Sequence, residues 1–203
     1  MLKATSILAL VIVVSALQER NHGKANYDLA KFMEQNEKIW TLKSSDVGKW
    51  KCKLDHSIKI TGKDAVLNRS YVVKKKVSSF IVTGRLGSSR EDDTYNRMIL
   101  YDSSGYFIGY EDILFSNTNN TCAVINVTVD SKYDYDDPTP SSTTWGDSEY
   151  STRFEIRISD SLLEGPRSAC KEQFRKYANG SEGRPVSTKR GNCRKYYRQS
   201  ETH

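Results

Sequence analysis

From Lys38 onward, apolar and polar residues alternate with a period of two through eight short segments, and that pattern commits most of the chain to β structure. The segments are Lys38 to Lys43, Lys49 to Ile60, Arg69 to Val77, Ser79 to Arg85, Asn96 to Tyr101, Tyr106 to Phe115, Thr121 to Val129 and Tyr150 to Ile158. Gly, Asp, Asn and Ser separate them, as in Ser103-Ser104-Gly105, and Gly62-Lys63 reads as a turn because it lacks the upstream glycine of a phosphate loop. Eight short strands in series predict a mainly β fold, an up-and-down antiparallel barrel or a sandwich. An eight-stranded barrel has room for one small ligand.

Two helices frame the strands. Ala25 to Glu37 carries Leu29, Phe32 and Met33 at 3,4 spacing among polar residues, which predicts a short amphipathic helix with Asn26 or Asp28 as N-cap. A C-terminal helix is expected over Arg167 to Tyr177, with Pro166 at its start, Ala169, Phe174 and Tyr177 as packing candidates and Asn179-Gly180 as the stop. Ser131 to Ser148, rich in Asp, Ser, Thr, Tyr and Pro, reads as a long acidic loop or lid at one barrel mouth.

Met1-Leu2-Lys3 leads into an apolar stretch, Ile7 to Val14, closed by Ser15 and Ala16. This reads as a signal peptide over residues 1–16, followed by a single domain over 17–203. The apolar run ends at Gln18, short of the roughly 20 residues that a membrane helix needs, so a secreted, extracellular protein with no membrane span is expected. In that oxidising setting Cys52, Cys122, Cys170 and Cys193 are expected in disulfides, because no CxxC or Cys/His cluster marks a metal site. Sequence alone leaves their pairing open. Asn68, Asn119, Asn126 and Asn179 head sequons and are candidate glycan sites.

The segment Thr121 to Val129 orients the wall. Ala123, Ile125, Val127 and Val129 share one face, and Cys122, Val124, Asn126 and Thr128 share the other. A glycan on Asn126 requires the Cys122 face to look outward, towards a cysteine on a helix packed against the barrel.

Catalysis finds little support. The only histidines are His22, His56 and His203, which leaves no pair at metal spacing and one plausible general base, His56, itself read as a surface strand residue. Glu91-Asp92-Asp93 reads as a solvated acidic run. No catalytic residue, metal or cofactor is expected, and the chain is not read as an enzyme. Its formal net charge is +6, and from Leu163 to the end ten Lys or Arg stand against four Glu. The basic tail, about residues 194–203, reads first as a solvated helix and frayed terminus. Its sharper reading is an anionic partner such as a glycosaminoglycan. Arg194-Lys195-Tyr196-Tyr197-Arg198 has the composition of a nucleic-acid patch, but export argues against that partner.

A binding cavity fits the strands better. Trp40, Tyr71, Phe80, Tyr101, Tyr106 and Tyr110 sit where a barrel would point them inward, as does the segment Arg153-Phe154-Glu155-Ile156-Arg157. If Glu155 faces inward, Arg153 and Arg157 go with it. Alternatively Phe154, Ile156 and Ile158 face inward and the charged trio is surface.

The chain resembles the tick salivary lipocalins, the tick histamine-binding protein family. The resemblance runs in order through the Asp28-containing helix, Lys38-Ile39-Trp40, Cys52, Tyr110-Glu111-Asp112-Ile113-Leu114 and Asn120-Thr121-Cys122-Ala123-Val124-Ile125. It continues through Phe154-Glu155-Ile156, then Cys170-Lys171-Glu172-Gln173-Phe174-Arg175-Lys176-Tyr177 and Cys193. It implies an eight-stranded lipocalin-like barrel with flanking helices and the disulfides Cys52–Cys193 and Cys122–Cys170. It also implies a secreted, monomeric salivary glycoprotein that sequesters a host mediator and suppresses the inflammatory response, by capture and not catalysis. The implied ligand classes are biogenic amines such as histamine, eicosanoids such as leukotrienes and thromboxane, and fatty acids, and some members engage host protein.

The residues that look diagnostic of amine binding are partly kept. Glu155 and Asp112 match amine-contacting acids, Ala123 stands where an acid is lost, and Arg157 replaces a ring. The expected ligand set is therefore Glu155 and Asp112 as amine partners, Tyr110 and Trp40 as apolar walls, and Arg153 or Arg157 as partners for a lipid carboxylate. The amine is favoured slightly. A host protein or glycosaminoglycan engaged by the loops or the basic tail is the alternative.

Overall fold

Asp28 caps the first helix: its carboxylate accepts from the Lys31 amide at 2.9 Å, as expected of Asp at a helix N-terminus. In the computed structural model the described residues are 27–46, 50–89, 94–130, 150–162, 168–187 and 193–200. The expected signal peptide and the Ser131 to Ser148 loop lie outside them. Helix α1 covers Leu29–Glu34, shorter than the Ala25 to Glu37 reading because Asp28 and Gln35 cap it.

The strands are β1 Lys38–Ser44, β2 Lys51–Thr61, β3 Asp64–Val73, β4 Lys76–Gly87, β5 Arg97–Asp102, β6 Phe107–Ser116, β7 Cys122–Asp130 and β8 Tyr150–Ser159. Each pairs antiparallel with the next, and β1 pairs with both β8 and β2, which closes the barrel and removes its edges. Gly62 makes the β2–β3 turn at φ 57. The third and fourth strands differ from the sequence reading. Their turn lies at Lys74 and Lys75, with φ 47 and 69, and left-handed turns are normally marked by Gly, Asn or Asp and not by lysine.

A 3-10 turn, Asp160–Leu162, follows β8, then α2 Ser168–Tyr177, a short β9 Arg184–Pro185 on the end of β1, and α3 Cys193–Ser200. The stretch read as a basic tail is thus helical through Ser200. Among the described residues no helix is long and apolar enough to cross a membrane.

Two apolar layers form. Inside, Leu67, Val82, Leu86, Met98, Leu100, Ile108, Ile113, Ile125 and Val127 pack, and Leu29, Phe32 and Met33 of α1 close that end. Outside, Trp40, Leu42, Leu54, Val124, Ile156 and Ile158 pack with Phe174 and the four cysteines. Cys122 bonds Cys170 and Cys52 bonds Cys193, fastening α2 to β7 and α3 to β2. Each bond contributes roughly 2–4 kcal/mol. At Cys52 the strand bulges, with a register shift between Lys51 and Leu54 and φ 53.

Candidate functional site

Strand register decides which way β8 faces. Ala123, Ile125 and Val127 of β7 stand opposite Arg157, Glu155 and Arg153, and all three β7 residues belong to the inner apolar layer. Glu155, Arg153 and Arg157 therefore point into the barrel, while Phe154, Ile156 and Ile158 pack outside.

Four further charges meet them there. Arg157 donates to both Glu111 oxygens at 2.6 Å, and to Glu155 Oε2 from Nε at 3.0 Å and from Nη2 at 2.9 Å. Arg69 donates to the two Asp55 oxygens at 2.8 and 2.9 Å and to Glu111 Oε1 at 2.9 Å. Lys53 Nζ lies 2.9 Å and Arg153 Nε 3.0 Å from Glu155 oxygens, and Thr41 donates to the same carboxylate at 3.3 Å. The side chains of Arg69, Glu111 and Glu155 are fully buried. Each of the three acids faces at least two cations: Glu155 meets Lys53, Arg153 and Arg157, Glu111 meets Arg69 and Arg157, and Asp55 meets Arg69 and, at 3.5 Å, Arg157.

The electrostatics follow from that packing. Burial alone would raise the Glu155 pKa, but Lys53, Arg157 and Arg153 hold it well below the usual carboxylate range. Burial likewise opposes ionisation of Glu111, and Arg157 and Arg69 outweigh it. Burial would also lower the Arg157 pKa, yet Glu111 and Glu155 raise it. Lys53 goes the other way. Burial, then Arg157, lower its pKa to about 7 against the opposing pull of Glu155.

Towards the strand ends opposite α1, Trp50, Tyr71 and Phe80 lie beside this ionic layer. Lys53 Nζ and the Arg153 guanidinium lie 5.7 and 5.6 Å from the Trp50 ring centre, within cation–π range. Tyr71 and Phe80 meet edge to face at 5.9 Å, and Trp50, Tyr71 and Val186 form one cluster. Trp50, Tyr71 and Phe80 thus lie against the cations at that end of the barrel.

The other expected ligand residues lie elsewhere. Asp112 and Tyr110 stand opposite Asn126 and Thr128 on the outer face of the wall. There Arg97 holds Asp112 at 2.6 and 2.9 Å and lies 4.4 Å from the Tyr110 ring centre. Trp40 packs outside as well, donating from Nε1 to Asp160 at 2.8 Å. Tyr101, opposite Thr83, is half-buried, and Tyr106 sits at an exposed turn. The inward placement expected for Trp40, Tyr101, Tyr106 and Tyr110 is thus corrected; Tyr71 and Phe80 do face inward. For Trp40 the physical reason is that α3 packs on the outside of β1 and buries the ring as deeply as the interior would, whereas Tyr101 and Tyr110 fall on the outer face by strand phase and, like Tyr106 at its turn, stay partly exposed.

Lys53, Asp55, Arg69 and Glu111 were not among the expected residues, although phase marks some of them. Arg69 alternates with Leu67 and Tyr71, and Glu111 with Ile113, so each charge occupies an apolar face. Of the sequon residues, Asn119 and Asn179 are exposed, and Asn68 and Asn126 are half-buried on the outer face. His56 is a surface residue, 2.9 Å from Glu37.

No protein-family model and no curated protein sequence matches the chain. Solved structures do match. The siderocalin Ex-FABP, described as functioning through dual ligand specificities, has a TM-score of 0.52 at 12% identity, over 76% of this chain and 94% of that one. Insecticyanin from the tobacco hornworm Manduca sexta has a TM-score of 0.56 at 12% identity, over 83% of this chain and 84% of that one. The fold is that of the lipocalins. At such identities the likeness carries the lipocalin fold and not a ligand. Within that barrel the ionic layer joins β2, β3, β6 and β8.

Proposed function

We propose that this protein is a secreted, single-domain carrier that captures one small apolar ligand bearing a carboxylate, of the eicosanoid or fatty-acid class, and so removes a host mediator. The observation that carries this reading is the charge inside the barrel. Among the described residues four cations, Lys53, Arg69, Arg153 and Arg157, face three acids, Asp55, Glu111 and Glu155. With Lys53 protonated, as it is below its pKa of about 7, an incoming carboxylate meets surplus positive charge next to Trp50, Tyr71 and Phe80. A protonated amine has to displace an arginine or lysine from its carboxylate, leaving a buried charge uncompensated. That cost reverses the slight preference for histamine drawn from the sequence. The two disulfides and the lipocalin fold support export, and the neighbour with dual ligand specificities supports capture as the general activity.

Native mass spectrometry of the disulfide-intact protein, mixed with equimolar histamine, serotonin, leukotriene and arachidonate, tests the reading. A lipid adduct is expected. An amine adduct that disappears in Glu155→Gln would overturn it in favour of the amine.

A further inference from the structure

A cavity of about 490 Å³ lies outside the barrel under α3. Its floor is a stripe of outward-facing residues crossing four adjacent strands. Lys38 and Trp40 of β1 stand opposite His56 and Leu54 of β2. These in turn face Asn68 and Ser70 of β3, and Ser70 faces Ser79 of β4, with Val77 completing the floor. Arg194, Tyr197 and Arg198 of α3, with Asp160, form the opposite wall.

That wall is fastened at several points. Cys193 is bonded to Cys52, and the Tyr197 hydroxyl donates to the Cys52 carbonyl at 2.7 Å. The Tyr197 ring meets Trp40 edge to face at 5.4 Å. Asp160 accepts from Trp40 on one oxygen and from Arg194 at 3.1 Å on the other. The groove is therefore built into the fold and not left by a loosely lying helix.

Its charge is unbalanced. Asp160 compensates Arg194, and Glu37 lies beside His56. Lys38 and Arg198 are exposed and form no ion pair with a described residue. Two cations without an ion pair thus rim a floor on which Val77 offers partly exposed apolar surface, Trp40 and Leu54 lie almost fully buried, and His56, Asn68, Ser70 and Ser79 supply polar groups. Ile81, opposite Asn68 and 38% exposed, extends the apolar surface. A cation repels this rim, and a wholly apolar molecule leaves the rim charges unused.

We infer that this outer groove is a second ligand site, independent of the barrel, for a small amphipathic anion with a flat aromatic or acyl body and one sulfonate or carboxylate head. The body lies against Val77 and Ile81, and the head lies between Lys38 and Arg198. Asn68 borders the same groove, so a glycan on it competes with the ligand.

The test uses protein produced without glycans and the fluorescent probe 8-anilinonaphthalene-1-sulfonate. Wild type, the surface variant Lys38→Glu/Arg198→Glu and the barrel variant Arg153→Ala are titrated in parallel. One probe site is expected to persist unchanged in Arg153→Ala and to weaken roughly tenfold in Lys38→Glu/Arg198→Glu, where two attractive charges become repulsive. Identical titrations of wild type and the surface variant would overturn the inference, as would complete loss of probe binding in Arg153→Ala alone.

Discussion

Arg157 of β8 and Glu111 of β6 meet inside the barrel across the intervening strand β7, joined by two parallel hydrogen bonds of 2.6 Å. This bidentate geometry is the strongest form an arginine–carboxylate contact takes. It makes Arg157 the hub of the ionic layer, because the same guanidinium also holds Glu155 and approaches Asp55.

Removing that hub leaves two buried carboxylates short of a cation. Arg157→Met is expected to destabilise the fold by about 3–5 kcal/mol, read as a fall in the urea midpoint. Arg157→Lys does not restore it, since an ammonium cannot reproduce the two-pronged contact.

Lys53 sets the pH dependence. Its folded pKa of about 7 lies below its ordinary 10.5, so between those values the unfolded chain binds more protons than the folded one. Stability then rises with pH from about 7 towards 10.5, by up to about 1.4 kcal/mol per unit. The depressed carboxylates act at the other end: stability present above about 4.5 is lost as pH falls through their folded pKa values. Urea unfolding across pH 6 to 10 should show the alkaline rise in wild type, and Lys53→Met should lack it.

The Cys52–Cys193 bond closes a separation of 141 residues. Cys52→Ser/Cys193→Ser is expected to cost about 2–5 kcal/mol and to release α3. Trypsin should then cut at Arg194, Lys195 and Arg198 faster than in wild type.

Asp112 is bound to Arg97 on the outer wall, where the Arg97 side chain is 35% exposed. Asp112→Asn is expected to cost less than about 1 kcal/mol and to leave the affinity of a barrel ligand unchanged, as calorimetric titration would show.

Much of this architecture was legible in the sequence because its cause is local. The two faces of Thr121 to Val129 follow from period-two alternation, and Asp28 announces its own helix. The disulfide pairing entered through resemblance, and the structure has both bonds. What was not legible depends on several strands at once. Only the pairing of Ile125 with Glu155 chooses between the two possible faces of β8. Lys53 and Arg69 gain meaning only once closure of the barrel brings β2 and β3 against β8 and β6. Trp40 and Asp112 misled for a related reason: α3 buries the outside of β1, and Arg97 partners an acid that looked available.

The most direct test of the central claim is calorimetric titration of arachidonate and of histamine into wild type and Arg153→Ala at pH 6.5, where Lys53 is mostly protonated. The account predicts that arachidonate binds wild type, weakens roughly tenfold or more in Arg153→Ala through loss of one charge-assisted contact, and that histamine gives no heat of binding. Histamine binding to wild type, with arachidonate indifferent to Arg153, would contradict it.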